Sequence, residues 1–480
     1  MKRVVIVGGG VSGLVTAYRI EEAAKREGLE VKVTLLERRD RPGGNIRTER
    51  VDGYLIEAGP DCFLSEKPWA LALCRETGLG DELLATNEEH RKTYVLSGGR
   101  LHELPEGVIL MVPTRIVPLL ASSLISLRGK LRMAMEPFVP RRKGEADESL
   151  GDFVRRRLGR EVLEKIAEPL VAGVHAGDPE TMSIKSSFPK FVELEERYGS
   201  LIIGMLSRIR KMREMKRREG GGGGRGERVT MFMTLRSGLS TLVDRLLELT
   251  PSAEVRTGAV AAALRRTARG YEVGLEGGER VEADAVVIAA PAYAAARLVE
   301  ELDGELAARL LSIPYVSTAT VSLGYRRGDV AHPLDGFGFV VPRAEGRAIT
   351  AASWVSQKFA HRAPEGAALI RCFIGGAKNE ELALADEEEL SATARRELRE
   401  IMGIEAEPQV TRVYRWRKAM PQYTTGHAER VKAIRRLTEA RPGLFLTGSA
   451  YEGIGISDCV RQGGETAGRV VRFLAEKDSP

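Results

Sequence analysis

Cysteine is scarce in this 480-residue chain: only Cys62, Cys74, Cys372 and Cys459 occur. No two are spaced C-x-x-C and no Cys/His cluster has zinc-ligand spacing. Neither a disulfide framework nor a metal site is therefore expected, and reduced thiols in a cytoplasmic protein are. A dominant charge is lacking too. Lys plus Arg is 73 and Asp plus Glu is 67, a net +6. That excess is small for a dedicated nucleic-acid binder and better suits an anionic ligand or weak contact with an acidic surface. Long apolar runs are also missing. Residues 4–7, behind Met1-Lys2-Arg3, are too few for the core of a signal peptide. The nearest approach to a membrane span, residues 108–125, is broken by Pro113, Arg115 and Pro118. No internal repeat is visible. What remains is an ordinary globular composition, 43% hydrophobic and 29% charged, in a chain long enough for two or three domains.

Residues 3–7 are a β-branched run that predicts a buried strand. Leu14, Ala17, Tyr18 and Ala24 predict a helix over 12–26, and 31–36 predicts a second strand, completing a βαβ unit of nucleotide-binding size. Residues 105–142 are rich in Leu, Ile, Met and Pro, with Arg128, Lys130, Arg132, Arg141, Arg142 and Lys143 gathered toward the end. Residues 149–163 read as helix. Five glycines at 220–224, beside the basic stretch 208–218, read as a flexible surface loop. A strand at 271–275, a turn at Gly277-Gly278 and a strand at 281–289 read as a hairpin. Residues 315–375 alternate and turn as an antiparallel sheet does, 386–402 is an amphipathic helix, and 443–474 reads as strand, glycine-rich turn and helix.

Three motifs carry chemistry. Gly8-Gly9-Gly10-Val11-Ser12-Gly13 is a G-x-G-x-x-G with a strand before it, a helix after it and Glu37 closing the next strand. Gly8 permits the tight turn, Gly10 lets backbone approach a pyrophosphate, and Gly13 lets helix and strand pack closely. The helix N-terminus offers N–H groups to the phosphates, and Glu37 is placed to accept from ribose hydroxyls. A second formal match at 221–226 has no strand before it and is rejected. Next comes Arg41-Pro42-Gly43-Gly44-Asn45-Ile46-Arg47-Thr48, and near the end Gly448-Ser449-Ala450-Tyr451-Glu452-Gly453-Ile454-Gly455-Ile456-Ser457-Asp458-Cys459, a glycine-rich turn opening the last helix.

The Gly43-Gly44 motif resembles that of the FAD-binding family of amine oxidases, carotenoid desaturases and porphyrinogen oxidases. Gly59-Pro60-Asp61-Cys62-Phe63, the segment from Glu168 to Asp178, Pro421-Gln422-Tyr423 with Gly426-His427, and Tyr451-Glu452-Gly453 are similar to the protoporphyrinogen and coproporphyrinogen oxidase branch. The resemblance implies an α/β fold: a discontinuous FAD-binding Rossmann-like domain (1–82, 229–296, 431–480), a mixed-sheet substrate domain (83–103, 187–228, 297–430) and a helical subdomain (104–186) that faces the membrane in some relatives. It implies non-covalent FAD held by Gly8, Gly9, Gly10, Val11, Ser12, Gly13, Glu37, Arg38, Gly43, Gly44, Asn45, Gly59, Pro60, Asp61, Cys62, Val260 (through its backbone), Trp416, Ile454, Gly455 and Ile456. Amine oxidases carry a lysine in a strand of type Lys-Val-x-Leu where this chain has Thr320, which disfavours that rival. The desaturases' proline-flanked terminal glycine motif is absent.

The implied reaction is the oxygen-dependent, six-electron oxidation of a porphyrinogen to a porphyrin in haem biosynthesis, by hydride transfer to flavin N5 and reoxidation by dioxygen to hydrogen peroxide. No side-chain acid or base is singled out. An anionic tetrapyrrole needs an apolar cleft and cationic anchors for its propionates. Lys67 is the first candidate anchor and Asp61 a candidate substrate contact; His175 reads as structural. Which porphyrinogen is preferred and what oligomer forms are not legible, with Lys67 tilting the choice toward coproporphyrinogen III.

Overall fold

The computed structural model describes residues 1–89, 91–105, 108–109, 112–113, 118, 121–144, 146–218 and 229–476. The polyglycine loop and most of 108–120 lie outside the described residues.

The opening β-branched run forms the strand Lys2–Val7, whose last four residues are buried. It is the middle strand of a five-stranded parallel sheet, in the order Glu254–Arg256, Val31–Leu36, Lys2–Val7, Ala285–Ile288 and Leu444–Leu446. Three distant pieces of chain thus share one sheet. The crossover helix Val11–Glu27 stops at Gly28, which takes a left-handed φ of 66° that ends helices at low cost. It packs against the last helix, Ile456–Glu476, close enough for Thr16 Oγ1 to donate to the Gly463 carbonyl at 3.2 Å. Leu14, Val15, Ile20, Val460, Val470 and Leu474 form one core between them. The expected strand at 281–289 is in fact two. Arg280–Ala283 ends an antiparallel meander, and Ala285–Ile288 enters the parallel sheet. The change falls at Asp284, whose N–H donates to the Arg3 carbonyl.

The second sheet has seven strands in the order Val410–Pro421, Tyr315–Arg326, Ala367–Gly375, Ile349–Trp354, Gly336–Val340, Lys92–Ser97 and Arg100–Glu103. It is antiparallel except where Gly336–Val340 runs parallel to Lys92–Ser97. One face is covered by the helix Glu387–Met402, through Leu390, Ala394 and Leu398. That helix starts at Asp386, which accepts from Glu389 N, carries three glutamates in its first turn and ends at Gly403 with φ 68°.

A layer of short helices completes the molecule. The expected helix at 149–163 breaks at Gly159, giving Leu150–Arg157 and then Arg160–Val162, which runs into a wider turn over Leu163–Ala167. The core of this layer continues into Phe191, Leu194, Leu201 and Met205, within the 187–228 stretch grouped above with the substrate domain. Its knot is an ion pair with both side chains fully buried, Glu136 with Arg157. Glu136 also accepts from the N–H groups of Leu201 and Ile202 at the start of the helix Leu201–Arg218, and Arg157 donates to the carbonyls of Val139 and Gly199. Among the described residues no helix is long and apolar enough to cross a membrane.

Glu136→Ala would leave fully buried Arg157 with only the longer Glu195 pair at 3.6 Å and strip the acceptor from Leu201 N, a loss of about 3 kcal/mol. Thermal unfolding should show this layer melting first, and an unchanged melting curve would refute the assignment.

Candidate active site

The glycine motifs meet backbone to backbone. A Cβ on Gly13 would lie 2.0 Å from the Gly8 carbonyl oxygen, and one on Gly8, at φ 110°, would lie 2.9 Å from the Ala289 carbonyl. Only glycine allows helix and strand to approach this closely. The second motif sits directly on the first: Gly43 N donates to Gly9 O at 2.7 Å, and a Cβ on Gly44 would lie 3.0 Å from Gly10 Cα. Arg39 and Arg41 brace this contact by donating to the carbonyls of Gly44 and Ile46, a role that the sequence did not suggest. Arg38 is exposed.

At Gly10 the helix Val11–Glu27 begins with no side-chain cap and no acidic residue in its first turn. Its N–H groups and positive dipole end are thus left for an anion. Buried Glu37 accepts from Gly9 N at 2.8 Å and Arg39 N at 2.9 Å. Its carboxylate holds the fingerprint loop before it meets any ribose. Val260 follows the strand beside Glu37, with its carbonyl accepting from Glu276 N.

Residues 58–62 run between the two sheets. The Ala58 carbonyl accepts from Thr320 Oγ1 at 3.0 Å, Arg371 Nη2 at 3.1 Å and Trp416 Nε1 at 2.9 Å. These donors come from three adjacent strands of the seven-stranded sheet. The ring of Trp416 also carries the Arg39 guanidinium, 5.6 Å from its centroid. A Cβ on Gly59 would lie 1.9 Å from the Asn45 carbonyl oxygen, so Gly59 packs flat on the second motif. Asp61 is in an ion pair with Lys358 at 3.0 Å, and the Cys62 thiol donates to its other oxygen. Burial disfavours ionised Asp61, but the charges of Lys358 and Arg371 win and hold its carboxyl below the ordinary range. Burial, aided by Asp61, pushes the Cys62 thiol up to about 12, so it is no nucleophile. Lys358 lies 297 residues from Asp61 in sequence, and no motif marks it.

The terminal turn is also braced. Tyr423 Oη donates to the Ser449 carbonyl at 2.7 Å and accepts from Gly453 N at 2.9 Å. Its ring stacks on His427 at 4.0 Å, and His427 Nε2 bonds the Tyr451 carbonyl. Pro421-Gln422-Tyr423 and Gly426-His427 therefore hold the turn that leads into Ile454, Gly455 and Ile456, while Gln422 reaches the His175 carbonyl of the helical layer. Lys67 Nζ pairs with Asp458 at 2.6 Å, so its ammonium is engaged at the start of the last helix. Val174 is 66% exposed beside half-buried His175, which burial and the charge of Lys67 push down to about 4.

An uncapped helix start, glycines at closest backbone approach and a carboxylate closing the second strand fit a dinucleotide. A partly buried segment, anchored at buried Ala58, joins that cradle to a second sheet. Fold and site together define a flavin-dependent oxidoreductase. The sequence profile of the flavin containing amine oxidoreductases matches residues 11–471. Along its length the chain is 38% identical to coproporphyrinogen III oxidase of Bacillus subtilis (strain 168), covering 98% of each. It is 28% identical to protoporphyrinogen oxidase 2, chloroplastic/mitochondrial, of Arabidopsis thaliana, covering 98% of this chain and 94% of that one. A crystal structure of an Exiguobacterium sp. 255-15 protein, provisionally assigned as a protoporphyrinogen oxidase, superposes with a TM-score of 0.84 at 32% identity over 98% of this chain and 99% of that one. The chain belongs to the flavin containing amine oxidoreductase family, and FAD is its cofactor.

Burial above all holds His427 near 4, against an ordinary value of 6.5. The unfolded chain takes up this proton below about pH 6.5 and the folded chain only near 4, so stability is lost as the pH falls through that window, by up to about 3 kcal/mol. In His427→Gln the fall in melting temperature between pH 6.5 and 4.5 should be shallower than in the wild type. Parallel slopes would exclude His427 as the group responsible.

Proposed function

We propose that this enzyme oxidises a porphyrinogen to the porphyrin in three two-electron steps, with dioxygen as final acceptor and coproporphyrinogen III as preferred substrate. Full-length identity to coproporphyrinogen III oxidases from three bacteria supports the choice of substrate. The single structural observation that favours it over amine oxidation is at Thr320. Its side chain is buried and tied to the Ala58 carbonyl, which leaves no amine at the position where amine oxidases place their lysine. Bound FAD supplies the hydride-accepting and oxygen-reducing chemistry. The chain's own residues hold the cofactor at the two glycine motifs, fix the 58–62 segment and the 448–456 turn around it, and orient the macrocycle. We assign FAD contacts to Gly8 through Gly13, Glu37, Arg38, Gly43, Gly44, Asn45, Gly59 through Cys62, Val260, Trp416 and Ile454 through Ile456. Asp61 acts through Lys358 rather than on the substrate. Lys67 is assigned to a propionate, which competes with Asp458 for its ammonium.

Aerobic turnover of coproporphyrinogen III, followed by porphyrin fluorescence, should exceed that of protoporphyrinogen IX, and no turnover of either would sink the reading. Lys67→Glu should raise KM for coproporphyrinogen III at least tenfold and retain FAD; an unchanged KM removes Lys67 from the site.

We further place a peripheral contact with anionic lipid on the helical layer. Leu127, Leu131, Met135 and Phe138 share one face, are 71%, 59%, 58% and 84% exposed, and lie near exposed Arg128, Arg141 and Lys143. Apolar and basic groups side by side suit such a surface. The protein should float with phosphatidylglycerol vesicles and not with phosphatidylcholine alone, and Phe138→Asp should release it. Equal recovery with both lipids would refute the contact.

A further inference from the structure

The buried charge around residues 57–62 does not balance. Lys358 has Asp61 for a partner. Arg371, only 3% exposed, forms no ion pair among the described residues: it donates to the carbonyls of Ala58 and Gly59, and its Nε has no partner among them. Arg362, 1% exposed, likewise donates only to the carbonyls of Leu235 and Arg236 and the hydroxyl of Thr234. The remaining buried carboxyl here, Glu57, accepts from Leu239 N and Thr48 Oγ1, and burial pushes it up to about 7. Three buried cations thus face Asp61, which their charge keeps ionised, and Glu57, whose burial disfavours its charged form. Removing a guanidinium from water without a counter-charge is costly, and a fold retains one where an anion is to be met.

We infer that Arg371 tunes the bound flavin, its surplus positive charge stabilising the negative charge that arrives with reduction. The inference rests on the flavin reading above. A hydride from the substrate carbon brings two electrons and one proton, so the neutral oxidised ring becomes an anion, and the substrate cation then loses an N–H proton to solvent. Arg371 grips the Ala58–Gly59 peptide, part of the segment assigned above to FAD, at 3.1 and 2.5 Å. A fixed cation in a site of low dielectric favours the reduced form. In amine oxidases a lysine comes from the strand position occupied here by Thr320. In this chain the charge comes instead from the adjacent strand, since Thr320 pairs with Phe373 and Arg371 with Ser322. Arg371 is a positioning residue that acts on the cofactor through the field and through the 58–59 backbone.

The test is the midpoint potential of bound flavin in Arg371→Gln, which keeps a donor for the Ala58 carbonyl but not the charge, beside Arg371→Lys, which keeps the charge but not the fork. Arg371→Gln should shift the equilibrium at least tenfold toward oxidised flavin, about 30 mV for a two-electron couple. Arg371→Lys should recover most of that shift. A potential in Arg371→Gln within twofold of the wild-type equilibrium overturns the proposal. So does failure of both variants to hold flavin, which would make Arg371 a clamp and nothing more. If the wild-type protein binds no flavin, the functional reading itself fails, and the two failures are thereby told apart.

Discussion

Backbone packed against backbone at the first glycine motif is the constraint on which everything else depends. With the Gly8 carbonyl oxygen 2.0 Å from where a Gly13 Cβ would stand, no side chain fits there. That closeness seats the helix Val11–Glu27 over the sheet with its uncapped end at Gly10. Gly43 and Gly44 then rest on Gly9 and Gly10, and Gly59 rests on Asn45. Three stretches separated in sequence are stacked as layers one backbone thick. A single methyl in that stack would displace the helix start, and with it the N–H groups that meet phosphate.

Around this stack and in the helical layer, buried charged side chains serve backbone groups as well as each other. Glu37, Glu57 and Glu136 accept from main-chain N–H groups, and Arg39, Arg41, Arg157, Arg362 and Arg371 donate to carbonyls. Irregular segments have no ladder to satisfy their polar groups once buried, and arginine's fork can reach two carbonyls at once. Near residues 57–62 the same guanidinium groups that satisfy carbonyls also bring positive charge, of which Asp61 and Glu57 offset only part.

The two large sheets and the helical layer are tied together by side chains that reach across to main-chain carbonyls. Thr320, Arg371 and Trp416 converge on one carbonyl from three strands. Tyr423 closes the terminal turn with a hydroxyl that donates on one side and accepts on the other, and its neighbour Gln422 extends to the helical layer. The 58–62 segment and the 448–456 turn are therefore held in register with each other, although neither belongs to a regular element.

Read alone, the sequence determined the parallel nucleotide unit, the helix that opens inside the first glycine motif and the place of Glu37. Those features depend on periodicity and on glycine spacing within tens of residues, where local sterics decide the outcome. It also marked Pro421-Gln422-Tyr423 without saying what that segment does, and offered Asp61 as a cofactor and substrate contact without showing its partner. Only the tertiary structure decided that Lys358 neutralises Asp61, that Lys67 meets Asp458, that Arg371 is spent on the carbonyls of Ala58 and Gly59, and that 281–289 is divided between two sheets. Electrostatic partners and sheet membership are set by which distant strands lie side by side, and no spacing along the chain encodes that.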